Sequence, residues 1–189
     1  MACLAKSLTL LTLCLFAFAS FGVSGCEEKD AANSSVAAVK ISGKTFYLEV
    51  ASDPQTRFRG LSEREHIDTD GGMIFAFPAS GVAVQSFVMR DCPNPIDIIY
   101  CDGAGHVLTT YTMQPEPPRS EAEKVLTTTP GSPDWTKSND DYEKRLKRYS
   151  SRYASQFVIE LKGGTLGPLG VKEGDLVQFD ADRLKKAAK

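Results

Sequence analysis

Three charged residues interrupt apolar segments on either side of a proline-containing turn. Arg90 and Asp91 end one apolar run, and Asp97 lies at the start of the next, after Cys92-Pro93-Asn94-Pro95. Charges in such a setting must be paired or be solvated in a cleft, because burying an isolated charge costs free energy. The pattern therefore indicates either an ion pair that fixes strand register or a site that captures a small polar ligand or a partner protein.

Strand register makes the ion-pair hypothesis specific. If residues 92–95 form a four-residue hairpin loop, Arg90 faces Asp97 directly across the two strands. We therefore predict that these two side chains are paired.

The turn at Gly72 and Met73 completes the candidate ligand-binding set, which is Arg90, Asp91, Asp97, Gly72 and Met73.

The same carboxylates permit an enzymatic alternative, a hydrolase that uses Asp91 and Asp97 as a pair. Retaining glycosidases hold two such groups about 5–5.5 Å apart and inverting ones about 6.5–9.5 Å apart, with a cleft between them. The separation of the two groups would therefore discriminate the alternatives. We favour a non-enzymatic binding module and assign no catalytic residue.

Two further sets of side chains could carry chemistry. Cys101 and His106 flank a turn and resemble a Cys-His pair, but no third orienting group is evident. Met73, Met89 and Met113 are soft ligands that suit Cu(I), yet all three lie in apolar strand patterns, where Met is a routine core filler. The sequence has no Gly-x-Ser-x-Gly elbow, phosphate loop or zinc-ligand spacing. It predicts neither a cofactor nor a metal.

Composition and charge narrow the class of protein. The chain is 42% hydrophobic and 24% charged, the mixture of an ordinary globular protein. Its formal net charge of -2 provides no basic surface for phosphates. The balance therefore argues against nucleic acid as a partner.

The N-terminus has the pattern of an export signal. Lys6 precedes an uncharged, largely apolar run from Leu8 to Phe21, which is shorter than the roughly 20 residues that a bilayer-spanning helix needs. The next segment, Val23-Ser24-Gly25-Cys26, resembles the lipobox of bacterial lipoproteins, in which the Cys is acylated. Ordinary cleavage after Ala19 and an uncleaved anchor are alternatives.

The lipobox resemblance implies a removable signal peptide at residues 1–25 and a lipid on Cys26. Residues 26–35 are small and polar, as expected of a flexible tether. The domain would then lie in the cell envelope, on the periplasmic or extracellular side, attached to the membrane by its lipid.

Cys92 and Cys101 remain after this assignment. Residues 96–101 are predicted as a strand rising about 3.3 Å per residue, which carries Cys101 beyond the roughly 4.4–6.8 Å Cα separation of a disulfide. Free thiols are favoured, although an oxidising compartment keeps the bridge open as an alternative.

Short strands separated by turn signals predict an α+β fold that is predominantly antiparallel β, a small barrel-like or meander sheet with a few short helices. One domain covers residues 36–180. It contains a proline-rich insert at 114–149, and a basic tail at 181–189 is expected to be frayed and solvated. Asp53-Pro54 is expected to open a short helix that ends at Gly60. The predicted strands are Val36–Ile41, Thr45–Ala51, Met73–Phe77, Val82–Asp91, Ile96–Cys101, His106–Met113, Gln156–Leu161 and Asp175–Phe179.

Several segments, in this order, resemble the family known as domain of unknown function 192. They are Phe46-Tyr47-Leu48-Glu49-Val50-Ala51, Arg59-Gly60-Leu61, Gly72-Met73-Ile74-Phe75, Phe87-Val88-Met89-Arg90-Asp91, Pro95-Ile96-Asp97-Ile98, Phe157-Val158-Ile159-Glu160-Leu161 and Gly174-Asp175. The resemblance implies a compact, β-rich, often exported domain with no established activity. The chain departs from the family pattern at Ser62, Val88 and Asp91, and its insert is longer than usual.

The lipid-anchor hypothesis predicts that Cys26→Ser releases the protein from the membrane fraction, because the acylated side chain is lost. Fractionation of cells that express the parent and the variant measures this. Identical fractionation of the two proteins would contradict the hypothesis.

Overall fold

The structure is a computed structural model that describes residues 35–189. The predicted signal peptide, Cys26 and nearly all of the tether lie outside the described residues. The strands are β1 (Val36–Ile41), β2 (Lys44–Ala51), β3 (Met73–Ala76), β4 (Ala83–Phe87), β5 (Ile96–Cys101), β6 (Val107–Met113), β7 (Tyr149–Ser155) and β8 (Phe157–Lys162); the helices are α1 (Pro54–Arg59), α2 (Asp140–Arg145), α3 (Leu166–Leu169) and α4 (Ala181–Ala187).

The central sheet has six strands in the order β1-β2-β3-β8-β5-β6. Only its β2–β3 pair is parallel, and β4 and β7 form a separate antiparallel pair. The sheet is not closed into a barrel. The predicted β-rich, mainly antiparallel fold with few short helices is therefore confirmed, with an open sheet in place of a barrel.

Local sequence signals explain the first elements. Ser42 and Gly43 both have positive φ, as the two-residue turn between β1 and β2 requires. The Asp53 side chain accepts a hydrogen bond from the Thr56 N–H at 2.9 Å and so caps α1, whose first residue is Pro54. The predicted hairpin and helix are both present.

Strand pleating divides the core into two clusters on opposite faces of the central sheet. One cluster contains Ile74, Ile99, Phe157 and Ile159, and α4 packs against it through Leu184. The other cluster contains the strand neighbours of these residues and three methionines: Phe75, Ile98, Tyr100, Val158, Met73, Met89 and Met113. The three methionines are buried core residues.

The predicted hairpin between residues 82–91 and 96–101 is wrong. Strand β4 ends at Phe87 and pairs with β7, whereas β5 lies between β8 and β6. Both hydrogen-bonding edges of β5 are therefore occupied, and β4 cannot pair with it. Residues 88–95 form a loop between the two sheets, and β7 was not predicted because its sequence is polar.

The C-terminal segment also differs from the prediction. Residues 175–179 make only isolated bridges, from Leu176 to His106 and from Gln178 to Lys40. The tail forms helix α4 and is not frayed: Asp180 accepts a hydrogen bond from the Arg183 N–H at 3.0 Å, and Leu184 is buried. One well-placed apolar side chain thus orders a segment that looks basic and solvated in sequence.

The insert at 114–149 contains two short 3-10 turns and α2, which buries Tyr142. The guanidinium groups of Arg119 and Arg145 lie over the Tyr142 ring, at 3.7 and 4.7 Å from its centre. Val125 and Leu126, by contrast, are 64% and 48% exposed. Within residues 35–189, no helix is long and apolar enough to cross a bilayer.

We predict that limited proteolysis cuts the insert first, between Val125 and Pro133, where most side chains are exposed and the backbone is held by hydrogen bonds with Ser138 and Asn139 of the same insert. Thermolysin, which cleaves before large apolar residues, should act at Val125 or Leu126. Mass spectrometry of the first fragments measures the site. Initial cleavage between residues 82 and 113 would contradict the fold described above.

Candidate functional site

Arg90 pairs with the insert and not with Asp97. Its guanidinium group donates two hydrogen bonds to the Glu143 carboxylate, at 2.5 and 2.9 Å, and a third to the Phe58 carbonyl at 3.2 Å. It also lies 4.3 Å from the centre of the Phe58 ring. The predicted Arg90–Asp97 pair is therefore wrong, because the loop at residues 88–95 faces α2 and α1.

Asp91 is held by a second arginine from the insert. Arg119 donates two hydrogen bonds to its carboxylate, at 2.8 and 2.7 Å. Burial acts to raise the pKa of Asp91, but the hydrogen bonds from Arg119 and Tyr142 and the charges of Arg119 and Arg90 together outweigh it, so that the pKa is lowered. The backbone of Asp91 has a φ of 50°, a conformation in which Asn and Asp are enriched.

Asp97 is fully buried. It lies on the face of the central sheet opposite to the core cluster that contains Met89 and Cys92. Its carboxylate accepts hydrogen bonds from Thr112 Oγ1 and from the Leu166 N–H, both at 2.7 Å. Strand alternation places it on the same face as Ile99. These two hydrogen bonds join β5 to β6 and to the start of α3. Asp97 therefore has a structural role.

The turn at Gly72 and Met73 positions two strands. Gly72 has a φ of 138°, and a Cβ there would lie 2.2 Å from the Glu160 carbonyl oxygen. Only glycine permits this approach of the turn to β8. Met73 is buried in the core beside it. The five predicted binding residues therefore do not converge on one site.

A cavity of about 390 Å³ opens between α1, β4, the 88–92 loop and the insert. This volume falls within the range of about 300–1,000 Å³ typical of small-molecule sites. Of the five predicted residues, Arg90 alone lines it. Aromatic side chains supply much of the wall: Phe58, Phe75, Phe77, Phe87 and Trp135.

Glu160 lies at the base of this cavity. It occupies the middle of β8, opposite Met73 of β3 and Ile98 of β5, and is 4% exposed. No described residue forms a hydrogen bond or ion pair with its carboxyl group. Burial without compensation raises the pKa of Glu160 to about 8.

Two ionisable groups that interact with Glu160, the Cys92 thiol and the Tyr100 hydroxyl, are neutral. Burial, and then the charge of Glu160, raises the pKa of the Cys92 thiol to about 12, and the same two causes raise that of the Tyr100 hydroxyl. Tyr100 donates its proton to the Tyr149 carbonyl at 2.6 Å. Neither group supplies a positive charge to Glu160.

The other candidate chemistry is not supported by the geometry. Cys101 is buried opposite Val107, and burial raises the pKa of its thiol, whereas exposed His106 contacts Asp102 at 3.1 Å. Both Cys92 and Cys101 are free thiols, in core clusters on opposite faces of the sheet. Among residues 35–189, no group of three or more His, Cys, Asp or Glu side chains could hold a metal ion.

Glu160 is not among the residues predicted from the sequence, although its signal was present. A single carboxylate interrupts the apolar run Phe157–Leu161, which is the same pattern that drew attention to Asp97. Trp135 was missed because it lies in the insert, where no strand or helix periodicity predicts which side chains face the domain.

Two solved structures have similar folds. One is a candidate transcription regulator from Sinorhizobium meliloti 1021, which is 25% identical, with a TM-score of 0.54 over 77% of this chain and 92% of the other. The second, a protein of unknown function from Novosphingobium aromaticivorans DSM 12444, is 23% identical, with a TM-score of 0.55 over 76% and 83% of the two chains. No curated protein matches the sequence.

A family model matches residues 37–179, which include every strand from β2 to β8 and the cavity described above. The model is that of DUF192, described as an uncharacterized ACR. The chain belongs to the DUF192 family.

Proposed function

We propose that this protein is an exported, lipid-anchored module that binds a small molecule in the Glu160 cavity. The ligand has an apolar body, which contacts the aromatic wall, and a polar group that bonds with Glu160. Arg90 contributes by holding Phe58 and the insert in place at the cavity wall. The export part of the proposal rests on the lipobox-like sequence before Cys26.

The unpartnered carboxyl group of Glu160 carries the proposal. Buried polar groups are nearly always hydrogen-bonded, because an unmade bond costs free energy. The Glu160 carboxyl lies in the central strand of the sheet, has no partner among residues 35–189 and faces the open cavity, so only solvent or a ligand can supply its hydrogen bonds. A ligand that supplies the missing partner would explain why a carboxyl group stands at this position.

The competing hydrolase hypothesis is not favoured by the geometry. Asp91 is bonded to Arg119, and Asp97 is bonded to Thr112 and Leu166 on another face of the sheet. Neither carboxylate lines the 390 Å³ cavity. The two groups therefore do not flank a cleft as a catalytic pair must.

The similarity to a candidate transcription regulator does not favour a nucleic-acid partner for this chain. Its formal net charge is -2, whereas nucleic-acid binding requires a concentrated positive surface. Three of the arginines that line or flank the cavity bond with this chain's own groups: Arg57 with carbonyl oxygens, Arg90 with Glu143 and Arg119 with Asp91.

The proposal predicts that Glu160→Gln changes the pH dependence of stability. Between pH 4.5 and about 8 the folded protein keeps a proton on Glu160 that the unfolded chain has lost. The free energy of unfolding should therefore fall as pH rises through this window. Glutamine remains neutral, so the variant should match the parent near pH 4.5 and exceed it at pH 8 by on the order of a few kcal/mol.

Urea unfolding of both proteins at pH 4.5 and pH 8 measures this difference. Glu173→Gln is the matched control, since it removes the same charge at an exposed position near Arg152. An equal pH dependence of the parent and Glu160→Gln would show that Glu160 is not held without a partner.

Ligand binding itself can be followed by the fluorescence of Trp135, which is the single Trp of the chain and lines the cavity. We expect a panel of small aromatic and aliphatic alcohols, amides, amines and carboxylic acids to contain compounds that change this fluorescence saturably. Binding should weaken at least tenfold in Glu160→Gln and be unchanged in Glu173→Gln. The absence of any saturable change across the panel would contradict the binding proposal.

A further inference from the structure

Of the charged groups that line the cavity, Arg57 and Arg90 bond with the chain's own groups, whereas the side chains of Arg59 and Glu160 bond with no described residue. Arg57 donates hydrogen bonds to the carbonyl oxygens of Ser52, Ala76 and Lys189 at 2.8, 3.0 and 2.7 Å. Arg90 bonds with Glu143. Among residues 35–189, no side chain or backbone group forms a hydrogen bond or ion pair with the Glu160 carboxyl. The ionised carboxylate accepts hydrogen bonds only, and a cationic donor matches it best.

The aromatic wall points to the same chemistry. The chain places its own cations over two of the five cavity rings, Arg90 over Phe58 at 4.3 Å and Arg57 over Phe77 at 5.1 Å. The other three rings, Phe75, Phe87 and Trp135, have no cation over them among the described residues. Aromatic faces attract cations within about 6 Å. A buried carboxyl group and aromatic rings that carry no cation thus share one cavity.

Other ligand classes fit less well. An anion has no donor to offer the Glu160 carboxylate, although Arg57, Arg59 and Arg90 also line the cavity. A divalent metal ion takes six or more oxygen ligands or a set of N and S ligands, whereas this cavity offers one carboxyl among aromatic side chains. A neutral alcohol would bond with Glu160 but would leave the aromatic rings without a cation.

We propose that the ligand of this cavity is an organic ammonium ion, a primary amine with an apolar body whose N–H groups donate to the Glu160 carboxylate beside Phe75, Phe87 and Trp135. This inference rests on the proposed binding function and specifies its ligand class.

Binding of an ammonium ion requires Glu160 to be ionised, so below pH 8 the empty site must release one proton to solvent as the amine binds. The other ionisable groups at the cavity do not complicate this exchange. Cys92 and Tyr100 remain neutral in this range because burial raises the pKa of each. Arg57, Arg59 and Arg90 line the cavity as permanent cations. The apparent affinity should therefore rise about tenfold per pH unit between pH 6 and 7.

The test compares 2-phenylethylamine with 2-phenylethanol, which has the same body and a neutral donor. Titration against Trp135 fluorescence at pH 6, 7 and 8 gives the dissociation constants. The amine should bind at least tenfold more tightly than the alcohol at pH 8, and only the amine should show the pH dependence. Glu160→Gln should abolish both differences, and Glu173→Gln should preserve them.

The outcomes separate the ligand class from the binding function. Equal or tighter binding of the alcohol, or amine binding that is insensitive to pH, would overturn the amine proposal while the cavity remains a binding site. The same conclusion follows if neither probe binds but another class in the panel does. If no compound of any class binds, both proposals fail. Should Glu160→Gln not fold, the pH dependence of the parent protein decides alone.

Discussion

Strand β8 lies between β3 and β5, and the rest of the structure depends on that position. It brings the C-terminal third of the chain into the centre of a sheet whose other strands come from the first two thirds. Its insertion occupies the hydrogen-bonding edge of β5, which forces β4 to pair with β7 in a second sheet. The cavity opens where that second sheet, α1 and the loop at residues 88–92 meet the face of β8 that carries Glu160.

Two arginine–carboxylate pairs attach the insert to the domain beside this cavity. Arg90 of the loop bonds with Glu143 of α2, and Asp91 bonds with Arg119 of the insert. The adjacent charges of the loop are thus matched by opposite charges from two separate parts of one insert. This attachment positions Trp135 against Phe58, with ring centres 5.6 Å apart, so that the insert supplies part of the cavity wall.

Glu160 creates a conflict between stability and binding. Its burial disfavours the charged form and makes the folded domain less stable as pH rises, while the same burial strengthens any bond that a ligand forms with the carboxylate. A well-packed apolar residue would remove the cost but also the polar group of the cavity. Sites that keep such a cost are typically those where a ligand supplies the compensation.

The sequence by itself determined the local elements. Short apolar patterns bounded by turn residues specified β1, β2, β5 and β6, the Asp53-Pro54 cap specified the start of α1, and ordered motifs specified the family, because each of these signals is confined to neighbouring residues. The partners of Arg90, Asp91 and Asp97 were decided only by the tertiary structure. A register can be predicted only when the adjacent strands are known. Here the neighbours of β5 depend on β8, which is about sixty residues away in the chain and packs beside β5. Glu160 was visible as a charge in an apolar strand, but only the fold shows that its neighbours leave it without a partner.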